Sequence, residues 1–265
     1  MIEKVVFGDL SRSSLFGYAK ELPFFVREKE ISFKPGLNIM FTPNGTGKST
    51  ILDMMALSTA SKQGGISTIT HSWEQKVHSI FDKGRENTKM GDIVVWHDGQ
   101  PVAYCNPRDA VGLIGGRAGF DDDFFSQGLD DLKLRESTGK TSLYRLTEAM
   151  EYLDGSKQIP DVYHRSKRYH DWGKGLPPAV SEIMKAKIPT GQKTLLLDEP
   201  ESGVSIESQA KLWAALAEGA EKQNLQVIVA THSVFALGCK ANFVELEPNY
   251  PQTARAAIQA LTLKL

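Results

Sequence analysis

Cysteine is nearly absent: the 265-residue chain holds two, Cys105 and Cys239, far apart and in no metal-ligand spacing. That excludes a disulfide framework and a cysteine-based zinc site, and it fits a reducing cytoplasm. No apolar run approaches the ~20 residues of a membrane-spanning helix, and Met1-Ile2-Glu3-Lys4 lacks the apolar core of a signal peptide. Neither sign of charge prevails. Lys and Arg total 31 against 32 Asp and Glu, a formal net charge of -1. Bulk charge therefore does not advertise nucleic acid or an anionic membrane, although a local patch would suffice for either. Internal repeats and low-complexity tracts are missing as well. What remains is an ordinary globular composition, 41% hydrophobic and 24% charged, long enough for one large domain or two modest ones.

Patterning along the chain points to an α/β fold. From Val5 to Phe41 the sequence reads as short strands, with Phe24-Phe25-Val26 and Ile31-Ser32-Phe33 on either side of a charged turn and Lys34-Pro35-Gly36 as a break before Leu37–Phe41. A helix is expected from Lys48 to about Ala60, ended by Lys62-Gln63-Gly64-Gly65. Asp92–Trp96 and Pro101–Tyr104 read as strands of a hairpin turned at Asp98-Gly99. Helical spacing runs from Ser142 to Leu153; residues 154–175 are polar, basic and aromatic, an exposed connection or small helical insert; Pro177-Pro178 opens a further helix. The last third alternates: strand Thr194–Leu197, helix Ile206–Glu218, strand Leu225–Ala230, strand Phe243–Leu246, helix Ala254–Leu263. Apolar strands alternating with helices imply a mostly parallel sheet covered on both faces.

Thr42-Pro43-Asn44-Gly45-Thr46-Gly47-Lys48-Ser49-Thr50 lies between an apolar strand and a helical pattern. Strand, glycine-rich loop and helix in that order make a phosphate cradle, with backbone N–H groups and the helix dipole facing an anion. Asn44, Gly45, Thr46, Gly47 and Thr50 would line it, Lys48 would reach the β and γ phosphates, and Ser49 would ligate Mg²⁺. The pattern G-x-x-x-x-G-K-[ST] wants glycine where this chain has Thr42, so a different entry to the loop is expected. The plainer alternative is a glycine-rich turn that contains a lysine.

Leu195-Leu196-Leu197-Asp198-Glu199-Pro200 is an apolar strand ending in two carboxylates. Opposite a phosphate loop, Asp198 would hold the Mg²⁺ shell and Glu199 would orient and deprotonate a water; otherwise the pair is a solvated acidic turn. Val229-Ala230-Thr231-His232-Ser233 repeats the logic on a neighbouring strand, and His232 would bond the γ phosphate or the water, or else be structural.

The set TPNGTGKST, LLLDEP and ATHS resembles the ATP-binding-cassette (ABC) ATPase superfamily, in particular the soluble branch that includes SMC-, RecF- and OLD-type ATPases. Phe33-Lys34-Pro35-Gly36-Leu37-Asn38 and Asp198-Glu199-Pro200-Glu201-Ser202-Gly203 are similar to that branch more than to transporter subunits. The resemblance implies a P-loop NTPase fold in one domain, 1–265, with an antiparallel β portion and a helical insert at about 128–176. It implies ATP and Mg²⁺ as ligands, hydrolysis of ATP, and pairing of two copies on ATP. A glutamine touching Mg²⁺ and the water is also implied; Gln127 is the first candidate and Gln63 the second. So is a signature motif that binds the partner's γ phosphate. Asp171-Trp172-Gly173-Lys174-Gly175 is favoured by position, although Asp171 stands where serine is expected; Ser137-Thr138-Gly139-Lys140-Thr141 is the alternative. A partner effector is expected to supply any further activity. The basic and aromatic run from Tyr163 to His170 would suit nucleic acid but reads first as a solvated loop, and Asp121-Asp122-Asp123 reads as a turn or cap. The other functional readings are an ATP-binding regulatory module with little turnover and a transporter motor subunit.

Overall fold

A computed structural model describes residues 1–13, 16–58, 66–67, 93–98, 100, 102–105, 147, 149–159 and 191–262. Strands β1 (Ile2–Phe7), β2 (Glu30–Ser32), β3 (Leu37–Phe41), β4 (Ile66–Ser67), β5 (Ile93–His97), β6 (Val102–Cys105), β7 (Lys193–Asp198), β8 (Leu225–Thr231) and β9 (Asn242–Phe243) form two sheets. The larger is ordered β4-β6-β7-β8-β3-β9; its last five strands run parallel, and β4 is an antiparallel edge. The smaller, β2-β1-β5, is antiparallel throughout.

Both faces of the large sheet are buried, and the period-2 alternation divides their side chains. Met40, Val102, Tyr104, Leu196, Ile228 and Ala230 face one core, together with helix α2 (Lys48–Ser58) and the inner face of the small sheet. Ile39, Phe41, Leu195, Leu197, Val227 and Val229 face the other, together with helix α3 (Ile206–Lys222) and the helical segment 149–154. Inside α2, Ile51, Leu52, Met54, Met55 and Ala56 are all buried, because the helix is sandwiched between the sheets. In α3 the apolar stripe Leu212, Trp213, Leu216 and Ala220 has helical spacing, and Ser205 caps the start by accepting from the Ser208 N–H. Gly219 lets segment 149–154 lie close: a Cβ there would stand 2.6 Å from the Leu153 carbonyl oxygen. Helix α4 (Tyr250–Thr262) ends the described chain. No described helix is long and apolar enough to cross a membrane.

Three expectations are corrected. Phe24-Phe25-Val26 belongs to a single-turn helix, α1 (Pro23–Arg27). Pro23 presets the first turn, and the adjacent rings of Phe24 and Phe25 both pack edge-on against Phe7, which an alternating strand would not allow. The hairpin at Asp98-Gly99 does not form: β5 pairs with β1 in the small sheet, whereas β6 pairs with β7 in the large one. The burial patterns explain the split. β5 alternates between buried and exposed, which suits a one-sided antiparallel sheet, while every residue of β6 is buried, as a two-sided parallel sheet requires. Near the end, β9 stops at Phe243, and α4 begins at Tyr250 rather than Ala254.

Gln226, fully buried on β8, ties the sheets together. Its Oε1 accepts from Ile2 N (2.8 Å) and Thr194 Oγ1 (2.8 Å), and its Nε2 donates to Ile2 O (2.7 Å) and Lys34 O (3.1 Å). Replacing it by alanine strands these groups in a dry interior. Gln226→Ala is expected to cost about 3 kcal/mol in urea unfolding; a loss below about 1 kcal/mol would refute this account of the seam.

Candidate functional site

β3 delivers the chain into the loop Thr42–Gly47, and α2 begins at Lys48. Gly45 (φ 78°) and Gly47 (φ 104°) adopt left-handed backbone, which glycine takes without steric cost. A Cβ on Gly47 would stand 2.8 Å from the Phe25 ring, so α1 walls this side of the loop. Thr42 is not among the positive-φ residues. Position 42 therefore does not need glycine in this backbone, and the entry expected to be reshaped by Thr42 is tolerated. Its side chain is fully buried, and its Oγ1 has no hydrogen-bond partner among the described residues.

Lys48 is 4% exposed and folds back over the loop, its Nζ donating to the carbonyls of Thr42 (2.8 Å) and Pro43 (3.0 Å). Thr46 Oγ1 also donates to Pro43 O (2.9 Å), and Thr50 Oγ1 lies 3.0 Å from the Tyr18 hydroxyl. Asn44 and Gly45 form the exposed crown of the loop. The first turn of α2 carries no acidic side chain, which leaves its positive end open to an anion.

Ser49 Oγ donates to Asp198 Oδ1 at 3.0 Å, joining residues 149 positions apart. The sheet order explains the meeting. β8 lies between β7 and β3, pairing Asp198 with Ala230 and Thr231 with Phe41, so the three strand tips end at one level. Glu199 follows with φ 44°, a left-handed backbone unusual for a non-glycine residue, held by its N–H donating to Ala230 O at 2.8 Å. His232 leaves the tip of β8 with Nδ1 3.3 Å from Glu199 Oε1, an ion pair when the imidazole is protonated. The structure thus gathers Asn44, Gly45, Thr46, Gly47, Lys48, Ser49, Thr50, Asp198, Glu199 and His232 at the carboxyl end of the parallel strands, where open α/β sheets bind their ligands. Gln127, Gln63, Gly173, the Ser137–Thr141 alternative, Asp121–Asp123 and the run from Tyr163 to His170 lie outside the described residues. A cavity of about 160 Å³ beside Tyr152, Lys193 and Asn224 lies at the opposite ends of these strands.

The donor set fits a hard cation that brings most of its own ligands. A hydroxyl and a carboxylate stand hydrogen-bonded, and among the described residues there is no cluster of three or more His, Cys, Asp or Glu to form an all-protein cage. Mg²⁺ suits such a site, taking one or two protein oxygens and completing its shell with phosphates and water.

One buried carboxyl beside the site carried no role in the sequence reading. Glu201 is only 6% exposed, and Thr231 Oγ1 donates to its Oε1. Burial lifts its carboxyl above the ordinary carboxylate range, against the lowering effect of the Thr231 bond. A carboxylate three residues past a strand end reads as solvated, and no pattern signals its pairing across to β8.

A family model described as an AAA domain matches residues 22–95. That match covers less than half of the chain. The mostly parallel sheet, with the glycine-rich loop between β3 and α2, has the architecture of a P-loop NTPase. Among curated proteins nothing matches. Two solved structures are similar at low identity. One is described as a metal-chelate type ABC transporter in an inward-facing conformation (16% identity, 93% of this chain and 80% of that chain, TM-score 0.38). The other is the ADP conformation of an ATP-binding cassette of an ABC transporter (15% identity, 90% and 84%, TM-score 0.35). Likenesses this slight carry no argument; the fold stands on the strand order and the loop.

Two outcomes follow from the geometry. Gly47→Ala combines a strained φ with a clash on Phe25 and should cost roughly 1–3 kcal/mol of stability, with nucleotide binding lost; binding retained at wild-type affinity would contradict the cradle. Because burial raises the Glu201 pKa, the protonated form favours the fold. Its stabilising effect is complete below the unfolded carboxylate range and is lost as pH rises through the folded value. The melting temperature of wild type relative to Glu201→Gln should therefore fall as pH climbs from below the unfolded carboxylate range through the raised folded value; parallel curves would refute a buried titrating Glu201.

Proposed function

We propose that the protein is an ATP-hydrolysing ABC-type ATPase. The observation that carries this reading is the 3.0 Å contact of Ser49 with Asp198, which brings the phosphate loop and the acidic strand tip into one site. Backbone N–H groups of residues 44–50 cradle the phosphates, and Lys48, released from its loop carbonyls, turns to the β and γ phosphates. Ser49 and Asp198 would hold Mg²⁺, which would supply positive charge to the phosphate oxygens. Glu199 orients a water and takes its proton as the water oxygen attacks the γ phosphorus and the bond to the β–γ bridging oxygen breaks. His232, beside Glu199, supports the water or the γ phosphate. Gln127 and Gly173 are assigned here only on the resemblance: Gln127 to Mg²⁺ and the water, Gly173 to the partner's γ phosphate.

The same reading makes residues 1–265 one ATPase domain with an insert at about 128–176, acting in the cytoplasm. Two copies pair head to tail on ATP, and an effector protein, in DNA-related or defence work, completes the function. The burial of Lys48 against loop carbonyls favours a second reading, a nucleotide-binding regulatory module with little turnover.

Glu199→Gln separates the two. Its turnover should fall by roughly 10²-fold or more while ATP binding persists, and gel filtration with Mg-ATP should show a dimer. Equal turnover in wild type and variant would refute the role of Glu199, and no turnover in wild type would leave the regulatory reading.

A further inference from the structure

We propose that Glu201 is a positioning residue that sets His232 against Glu199 through the hydroxyl of Thr231. The proposal rests on the ATPase reading above for its consequence in turnover, but its geometry stands apart from it. Glu201 reaches back beneath the tip of β8 because Glu199 turns the chain with a left-handed backbone and the Ser202 N–H closes the turn on Glu199 O at 2.9 Å. There the Thr231 hydroxyl donates to Glu201 Oε1 and accepts from the Ser233 N–H at 2.9 Å. Both neighbours of His232 are thereby pinned, one directly and one through the hydroxyl. Ser233 Oγ is further tied to Gln209 Oε1 on α3 at 3.4 Å.

The Thr231 hydroxyl has one proton, given to Glu201, and its lone pair is given to Ser233; the chain of bonds has a single direction. His232 itself has its side chain 46% exposed, with its Nδ1 3.3 Å from Glu199 Oε1. An imidazole this open keeps one orientation only if its backbone is held, and Glu201 supplies the anchor. Glu201 Oε2 is buried and has no hydrogen-bond partner among the described residues. A buried carboxyl satisfied on one oxygen is a costly way to hold a turn, and it is accounted for if the turn fixes the distance between two groups of the site.

The test uses Thr231→Val, nearly isosteric but without the hydroxyl, Thr231→Ser, which keeps it, and Glu201→Asp, which keeps the carboxyl but withdraws the acceptor. Each is made alone and with His232→Ala in the full chain. The first readout is the His232 imidazole signal in ¹H–¹³C NMR, identified by its loss in His232→Ala. Thr231→Val and Glu201→Asp should shift or broaden it, and Thr231→Ser should return it. The second is steady-state ATP hydrolysis. Each damaging variant should lower kcat about 10-fold with KM within about twofold, and that loss should vanish when His232 is already alanine. Losses that persist in the His232→Ala background, or an unmoved His232 signal, would overturn the proposal. If wild type does not hydrolyse ATP, the ATPase reading fails, and the NMR readout alone decides this one. Should Thr231→Val not fold, Glu201→Asp carries the same comparison.

Discussion

The arrangement depends on one constraint: β8 pairs in parallel with β7 on one side and β3 on the other, in a register that brings three strand tips to one level. Neighbouring strands lie about 4.8 Å apart, so β7 and β3 are separated by roughly 10 Å. That gap is spanned by a loop, the first turn of a helix and a carboxylate. Ser49 meets Asp198 across it. A slip of one residue in either pairing would turn every alternating side chain to the wrong face and carry Asp198 away from the loop. The dry cores on both sides of the sheet hold the register, since Leu196 and Ile228 face one and Leu195 and Val229 the other.

The site works against stability. Asp198, Glu199 and Glu201 are each 4–6% exposed, and burying carboxyls costs free energy unless they are paired. Glu199 adds a left-handed backbone worth roughly 1–3 kcal/mol of strain. The fold answers with hydrogen bonds between strand tips and loop: Ser49 to Asp198, the Glu199 N–H to Ala230, and Thr231 to Glu201. Lys48 is held in the same economical way by two loop carbonyls. A triphosphate with its cation would relieve such a collection of buried carboxyls and a retracted lysine, because opposite charges at close range are worth most where water is excluded.

Much of this was legible beforehand, and the misreadings are instructive. The strands Leu37–Phe41, Lys193–Asp198 and Leu225–Thr231 are short apolar runs bounded by turn residues, and periodicity and length suffice for them. Phe24-Phe25-Val26 misled because β propensity records how a side chain fits a pleated surface, and here Pro23 and the Phe7 ring offered another fit. The Asp-Gly hairpin failed because a turn signal is local, whereas the choice of sheet follows from burial on one face or two. Thr42 looked like a defect because the pattern names a residue type, while the backbone needs only a permitted φ.

The chain order of loop, acidic strand and histidine strand, and the residue types at Lys48, Ser49, Asp198, Glu199 and His232, were determined by the sequence alone: these are local patterns of residue type and spacing. Only the tertiary structure decided that β8 would slot between the other two strands, that Ser49 would touch Asp198, and that Glu201 would hide beneath Thr231. Each of those joins groups 30 to 190 residues apart, from Glu201 with Thr231 to Phe41 with Thr231, and such contacts arise from packing and strand register, which no local pattern encodes.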